Sequence, residues 1–292
     1  MESHDNFSGY PSDDITNRFL DDFPVHCHFR DGMIGQNKMH AHRGYELYCC
    51  LEGHGKLLVA DRMYSLLPGS IVIIKPHVLH WPSVVGTRPL HRVVLSLDER
   101  YVQSSFNSSP GINSCVRTLL AEPQPYWRFS AVKMATIREL LLQLARELAD
   151  QPVFYEAAMH HLLAELFVIL AREQYGPAES DESENSTFHL AERILRYLTA
   201  NYADPIEVSR LHERFNVSRS HMYDLFKQAT GHSLNRFLML YRINQAKRLL
   251  MDTPLSVTEI ASAVGFGDLS HFFHMFKSET GCTPSAYRKQ AH

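Results

Sequence analysis

A six-residue pattern occurs twice near the end of the chain, and it constrains the fold more than any other feature. The pattern Phe-Lys-x-x-Thr-Gly occupies residues 226–231 and returns 50 positions later at 276–281. Apolar residues outside the pattern keep the same offset, as Met222 and Phe272 do. Because apolar residues here also recur at helical spacing, the sequence predicts two copies of one helical module packed in tandem.

Each copy is predicted to contain a short helix, a tight turn and a second helix. In the first copy the turn falls at Asn216, with Ser218 as the expected N-cap of the second helix. In the second copy the turn covers 265–267, where Gly265 can adopt the positive φ that such a turn needs, and Asp268 is the expected N-cap. This is the layout of a helix-turn-helix motif, whose second helix normally enters the major groove of DNA.

Removing the apolar core positions from each second helix leaves the side chains that could face DNA. They are Arg219, Ser220, Tyr223, Asp224 and Lys227 in the first copy, and Leu269, Ser270, Phe273, His274 and Lys277 in the second. An exposed Phe273 suits contact with a thymine methyl group, and the two lysines suit phosphates. Asp224 could accept a hydrogen bond from a cytosine amino group or pair with Arg219 or Lys227, and we favour the pair. The alternative is a helical bundle with solvated charges, which a duplication at fixed offset makes less attractive.

The stretch 242–288 carries a family resemblance. RINQAKRLL at 242–250 and SVTEIASAVGFGDLSHFFHMFKSETGCTPSAYR at 256–288 resemble the C-terminal DNA-binding domain of the AraC/XylS family of bacterial transcription regulators, and the likeness extends over about 188–289. The resemblance implies two helix-turn-helix units joined by one long helix, here 234–250. A helix of that length spans about 25 Å, so two recognition helices could reach successive major grooves about 34 Å apart.

A change of charge divides the chain. Residues 1–185 contain 16 basic and 23 acidic residues, whereas the remainder contains 13 and 9. Residues 176–187 hold four acids, no base and no large aliphatic side chain, which is typical of a flexible linker. We therefore expect a sensor domain at 1–175, an acidic linker at 176–187 and a DNA-binding domain at 188–292, whose basic balance suits a polyanion.

The first half of the chain alternates β-rich runs with turns. The runs at 45–51, 56–60, 70–74 and 92–97 predict a small antiparallel barrel or sandwich. Two amphipathic helices follow, separated by Pro152, and the apolar stripe of the first comprises Ile137, Leu140, Leu141, Leu144 and Leu148. This helical pair could form the dimer interface that the family resemblance implies, or pack back on its own barrel. We favour dimerisation.

Histidines and one glutamate near the first strand resemble the two motifs of the cupin barrel. His40, His42 and Glu46 share parity and so one face of a continuous strand, although Gly44 could interrupt it. His80 would complete a set of three histidines and one carboxylate able to hold zinc, iron, nickel or manganese. Alternatively the four residues, with Tyr48, line a pocket for an organic effector without metal.

The predicted fold is α+β and multidomain, with an N-terminal cupin-like β-barrel plus helical pair and an all-α C-terminal domain of two helix-turn-helix units. The predicted function is a sequence-specific transcription regulator, in the first instance an activator, that responds to a sugar or related metabolite or to a metal. Expected partners are double-stranded promoter DNA, a second copy of the chain and RNA polymerase. We do not expect an enzyme. The alternatives are a metal-dependent cupin enzyme with an accessory helical domain, and a DNA-binding protein whose barrel only serves dimerisation.

The composition also predicts the compartment. The start of the chain is polar and acidic, apolar stretches are broken well short of the roughly 18 residues of a membrane span, and the five cysteines form no Cys-x-x-Cys pair. We expect reduced thiols in a cytoplasmic protein without membrane contact.

Overall fold

Two antiparallel sheets face each other in the first half of the computed structural model, which describes residues 12–31, 39–107, 109–121, 125–173 and 186–291. The strands are β1 (Val25–Arg30), β2 (Tyr45–Glu52), β3 (Gly55–Val59), β4 (Arg62–Leu66), β5 (Ser70–Ile74), β6 (His80–Val84), β7 (His91–Leu97) and β8 (Tyr126–Arg128). One sheet has the order β1-β7-β2-β5-β8 and the other β4-β3-β6. The four predicted strands are present, each within about one residue, whereas β1, β4, β6 and β8 were not predicted.

The alternation of side chains along β2 explains why both faces of the larger sheet are buried. Tyr48 and Cys50 point between the sheets, where they pack with apolar residues of the smaller sheet such as Leu57. Leu47 and Cys49 point the other way, into a second core beneath helices. The space between the sheets is therefore filled with side chains.

The helices of the first unit cover the outer face of the larger sheet. They are α1 (Ser12–Asp22), α2 (Glu99–Ser105), α3 (Pro110–Ala121), α4 (Ala131–Asp150) and α5 (Tyr155–Arg172). The predicted stripe of α4, including Leu141 and Leu144, shares one core with Leu47 and Leu95 of the sheet. The stripe thus packs on its own barrel, which is the alternative that the sequence left open, whereas dimerisation of the helical pair stays a prediction. A homodimer would need a surface other than this stripe.

The second unit is helical throughout. It contains α6 (Ser186–Ala200), a 3-10 turn (Val208–Arg210), α7 (Leu211–Arg214), α8 (Arg219–Thr230), α9 (Leu234–Asp252), α10 (Val257–Ala263), α11 (Leu269–Thr280) and α12 (Pro284–Ala291). Helix α9 has 19 residues, which makes it about 28 Å long. The predicted linker at 176–187 lies outside the described residues except at its end, where α6 begins.

The two units pack against each other, which no sequence motif predicted. Met39, Leu58 and Leu79 of the barrel share a core with residues of the helical unit, among them Leu195 and Leu238. Hydrogen bonds also cross the boundary: the Met63 amide donates to Glu192 Oε1 at 3.1 Å, and Asn244 Nδ2 donates to the His77 carbonyl at 2.8 Å. The helical unit is therefore in direct contact with the barrel.

No helix in the described ranges is long and apolar enough to cross a lipid bilayer. The five cysteines are free thiols, and Cys27, Cys49 and Cys50 are buried. Burial raises the pKa of Cys27 and Cys50 to about 12, so these thiols stay protonated at neutral pH.

The turn of the second helix-turn-helix gives a testable prediction. Gly265 and Gly281 both have positive φ, +85° and +78°. A Cβ at Gly265 would lie 2.7 Å from the Tyr202 carbonyl oxygen, whereas a Cβ at Gly281 would meet nothing within 4 Å. Gly281→Ala should therefore lower the free energy of unfolding by about 1 kcal/mol, because alanine is disfavoured in the left-handed conformation. Gly265→Ala should lower it by roughly 2–4 kcal/mol, because overpacking against Tyr202 adds to that penalty. Urea unfolding measures both, and equal losses would show that the close approach to Tyr202 contributes nothing.

Candidate nucleic-acid interface and metal centre

Helix α8 is positioned by its N-cap. The Ser218 side chain accepts a hydrogen bond from the His221 amide, so the helix begins at Arg219. Met222, Leu225 and Phe226 are buried, as the pattern predicted. The opposite face carries the candidate DNA-facing set, of which Tyr223 is half-buried and the others are exposed: Arg219, Ser220, Tyr223, Asp224 and Lys227.

The ion pair expected at Asp224 is not formed. The Arg219 guanidinium lies over the Tyr223 ring instead, 5.7 Å from its centroid. Within the described part of the chain, Asp224 makes no ion pair with Arg219 or Lys227. The carboxylate is exposed on the same face as the other candidates, where it can accept a hydrogen bond from a cytosine amino group.

Helix α11 repeats this arrangement. The Asp268 carboxylate accepts hydrogen bonds from the Ser270 and His271 amides at 2.7 and 3.2 Å, and Phe272 and Phe276 are buried. Leu269 and Phe273 are 39% and 36% exposed, which is unusual for such apolar side chains. The remaining candidates, Ser270, His274 and Lys277, are also exposed. The candidate residues of α11 are thus exposed, as the sequence pattern predicted, whereas their contact with DNA stays a prediction.

Sequence reasoning missed a matched pair of histidines. His221 and His271 both lie in the first turn of a recognition helix, and both are exposed. They are related by the same 50-residue offset as the repeat, so applying that offset to polar as well as apolar positions would have found them.

Arginine side chains of α9 connect the two helix-turn-helix units. The Arg236 guanidinium, on α9, donates two hydrogen bonds to the Glu279 carboxylate of α11, at 2.6 and 2.8 Å. Arg242 of the same helix donates to the Tyr202 carbonyl at 2.7 Å. A bidentate arginine–carboxylate pair restrains orientation as well as distance, so the two recognition helices keep a defined relative position.

The four predicted ligands of the barrel converge on one point. His40, His42, Glu46 and His80 are all buried, and one ligand atom from each lies within 4.8 Å of the others. His40 and His80 form an antiparallel bridge with backbone hydrogen bonds of 3.0 and 2.8 Å. The expected continuous strand is wrong: β2 begins at Tyr45, after the Gly44 break. The bridge to His80, and not strand alternation alone, brings the histidines together.

Hydrogen bonds orient two of the imidazoles. His42 Nδ1 donates to the Gly44 carbonyl at 3.0 Å, and His80 Nδ1 donates to the Val78 carbonyl at 2.9 Å. A carbonyl oxygen can only accept, so each Nδ1 carries a proton and each Nε2 is directed at the cluster. His42 Nε2 and Glu46 Oε2 are hydrogen-bonded at 3.0 Å, and His80 Nε2 lies 3.9 Å from Glu46 Oε1. The Nε2 lone pair that a neutral His80 directs at this carboxylate requires a cation or a proton between them.

The protonation states fit a cation site. Burial and the neighbouring His40 lower the pKa of His80 well below its usual value, so this ring is neutral at pH 7. Burial opposes ionisation of Glu46, but the hydrogen bond with His42 and the charges of the imidazoles lower its pKa to about 2. His80 Nε2 is buried without a hydrogen-bond partner. A buried carboxylate together with imidazole nitrogens, one of them without a hydrogen-bond partner, is a set of ligands for a divalent transition metal.

Tyr48 does not join this cluster. It follows Glu46 by two residues on the same face of β2 but packs in the apolar core between the sheets. Two donors bound to one ion at ~2.1 Å lie about 3 to 4 Å apart, close to the observed spread of the four ligand atoms. The residues present therefore fit a metal ion.

A ligand-binding β-barrel in contact with two helix-turn-helix units defines a class of effector-responsive, DNA-binding regulator. Two protein-family models match this chain: the AraC-like ligand binding domain matches residues 23–167, and a helix-turn-helix domain matches residues 211–290. The chain belongs to the AraC family of DNA-binding transcription regulators.

Individual proteins can be aligned with most of this chain. It is similar to the HTH-type transcriptional activator RhaR of Escherichia coli O1:K1, with 27% identity over 256 residues that span 85% of this chain and 86% of RhaR. RhaR of Escherichia coli K12 is 26% identical over the same share. Among solved structures, ToxT from Vibrio cholerae O395 covers 92% of this chain and 96% of its own, at 13% identity and a TM-score of 0.36.

Metal binding can be tested with a matched variant. We expect one Zn²⁺ or Ni²⁺ per chain, and His80→Ala should weaken binding more than about 100-fold because it removes a ligand rather than a residue that supports one. His91→Ala, which removes an exposed histidine paired with Asp31, is the control and should bind normally. Titration calorimetry with elemental analysis measures both. Equal binding by the two variants would place the metal elsewhere.

Proposed function

We propose that this protein is a metal-dependent transcription activator, in which His40, His42, Glu46 and His80 hold a divalent ion and α8 and α11 read DNA. The observation that carries the proposal is the convergence of four buried ligand atoms within 4.8 Å, in a chain that also presents two exposed recognition helices. The ion would satisfy the inward-facing imidazole nitrogens and the Glu46 carboxylate, and so stabilise that end of the barrel.

The interior of the barrel supports a metal over a sugar. A sugar needs a cavity lined by hydrogen-bonding groups, but apolar side chains such as Tyr48, Leu66 and Ile74 fill the space between the sheets. The four polar residues are themselves at most 5% exposed, which leaves little room between them for an organic molecule. The same burial argues against the alternative of a cupin enzyme, whose substrate must reach the metal. The relatives named above are transcriptional regulators, which supports a sensor without catalysis.

The helical unit supports binding to two successive major grooves. Helix α9 is about 28 Å long, and the Arg236–Glu279 pair holds α11 against it. The exposed faces of α8 and α11 would then enter grooves about 34 Å apart on one side of double-stranded DNA. The likeness to the activator RhaR supports transcription activation, and our proposal adds contact with RNA polymerase in the cytoplasm.

Two features of the wider assembly are part of the proposal. We assign the sensor to 1–175, the linker to 176–187 and the DNA-binding domain to 188–292, which the start of α6 at Ser186 supports. The active form would be a homodimer, joined by a surface other than the buried stripe of α4.

Base reading by α11 is testable by comparing specific and random DNA. Phe273→Ala or His274→Ala should weaken binding to the cognate site by about 1–3 kcal/mol and relax sequence preference at one position, because each removes a contact to a base edge. Lys277→Ala should weaken binding to all sequences alike and lower the salt slope by about 1, because it removes a phosphate contact. Fluorescence anisotropy at several salt concentrations measures these effects. Identical losses on both DNAs for Phe273→Ala would contradict base reading.

Metal dependence is testable in the full-length chain. Replacing His40 and His42 together by alanine should remove the effect of added Zn²⁺ or Ni²⁺ on DNA binding and transcription, because two ligands are lost. The control is His160→Ala together with His161→Ala, two adjacent histidines on α5 outside the cluster. A wild-type chain that activates transcription equally with metal and after chelation would refute the metal-dependent function while leaving DNA binding intact.

A further inference from the structure

The segment between β5 and β6 lies between the ligand cluster and the DNA-binding unit. The His77 amide donates a hydrogen bond to the His42 carbonyl at 2.7 Å. The His77 carbonyl accepts one from Asn244 Nδ2 at 2.8 Å. One residue of the barrel is thus bonded both to a ligand residue and to α9, the helix that joins the two helix-turn-helix units.

The two residues after His77 also contact the ligand residues or the helical unit. The Val78 carbonyl accepts the hydrogen bond from His80 Nδ1 that orients that ring. Leu79, next in the chain, is buried in the core that the barrel shares with the helical unit. Residues 77–79 therefore contact two ligands on one side and the DNA-binding unit on the other.

The geometry of His77 depends on its surroundings. Its φ is +61°, in the left-handed region that residues other than glycine rarely adopt. His77 follows Pro76 in a turn that is closed by a hydrogen bond of 3.3 Å from the Val78 amide to the Lys75 carbonyl, and the bonds to His42 and Asn244 also hold it. A shift of the ligand residues would therefore change the direction in which the His77 carbonyl points.

Asn244 is well placed to respond to that change. It is 5% exposed, on the buried side of α9, where Lys247 is the other buried polar residue. A buried amide that loses its acceptor is destabilised, because water cannot replace the lost hydrogen bond. The apolar contact between α9 and the barrel is thus supplemented by a polar contact that depends on the position of one carbonyl oxygen.

We infer that residues 77–79 couple the ligand cluster to the DNA-binding domain. The placement of His42 and His80 that suits an ion also presents the His77 carbonyl to Asn244. Ion binding and the docking of α9 on the barrel therefore stabilise each other, and the coupling is reciprocal. This inference rests on the proposed function and adds to it the route by which the sensor acts on the DNA reader.

Because the coupling is reciprocal, a substitution in the helical unit should change the affinity of the barrel for the ion. Asn244→Leu keeps the side-chain volume but removes the donor, so it should weaken Zn²⁺ binding about 5-fold although residue 244 is not a ligand. Asn235→Leu makes the same change at an exposed position of the same helix, so it should bind Zn²⁺ as the wild type does. Titration calorimetry of the full-length proteins measures all three affinities.

A second measurement needs no variant. Hydrogen exchange of the wild-type chain with and without Zn²⁺ should show slower exchange in α9 and in residues 77–79 when the ion is present. His80→Ala should abolish this difference.

The outcomes separate the coupling from the proposed function. Equal Zn²⁺ affinity in Asn244→Leu and wild type, with exchange in α9 insensitive to Zn²⁺, would overturn the coupling while metal and DNA binding stand. A wild-type chain that binds no metal would overturn the proposed function and the coupling with it. If Asn244→Leu fails to fold, the exchange experiment alone decides between these results.

Discussion

The backbone bridge between His40 and His80 is the interaction on which the sensor depends. Its two hydrogen bonds join segments 40 positions apart and close one end of the barrel. The bridge holds His40 beside His80, pairing with Val59 holds His80 in the smaller sheet, and the hydrogen bond from the His77 amide holds the loop beside His42. These short pairings together form the ligand cluster and place residues 77–79 against α9.

The DNA-reading unit depends on a different principle, which is repetition. Ser218 and Asp268 cap two helices in equivalent positions of the repeat, so each recognition helix starts where its polar face can reach a groove. The Arg236–Glu279 pair then holds α11 against the helix that follows α8. A sensor barrel and a pair of recognition helices are useful together only if they communicate, and the hydrogen bonds of Asn244 and Glu192 are polar contacts between them.

The sequence predicted the fold well where local rules act. The strands at 45–51 and 70–74, the helices of the second unit and the buried positions of α11 all follow from periodicity and capping, because these signals lie within a few residues of each other. The short edge strands were missed for the converse reason: β8 has three residues and no pattern of its own. The Asp224 ion pair was also predicted wrongly, because sequence spacing allows Arg219 two partners and packing against Tyr223 selected the aromatic one.

By itself the sequence determined that the chain has a barrel and a duplicated helical reader, and which residues could be ligands, because residue type and spacing carry that information. Only the tertiary structure decided that the stripe of α4 packs inward and that Tyr48 lies outside the ligand cluster. It also decided that His77 lies between the cluster and Asn244, which is 167 residues away along the chain. Contacts at such separation depend on how whole units pack, and no local pattern of side chains encodes them.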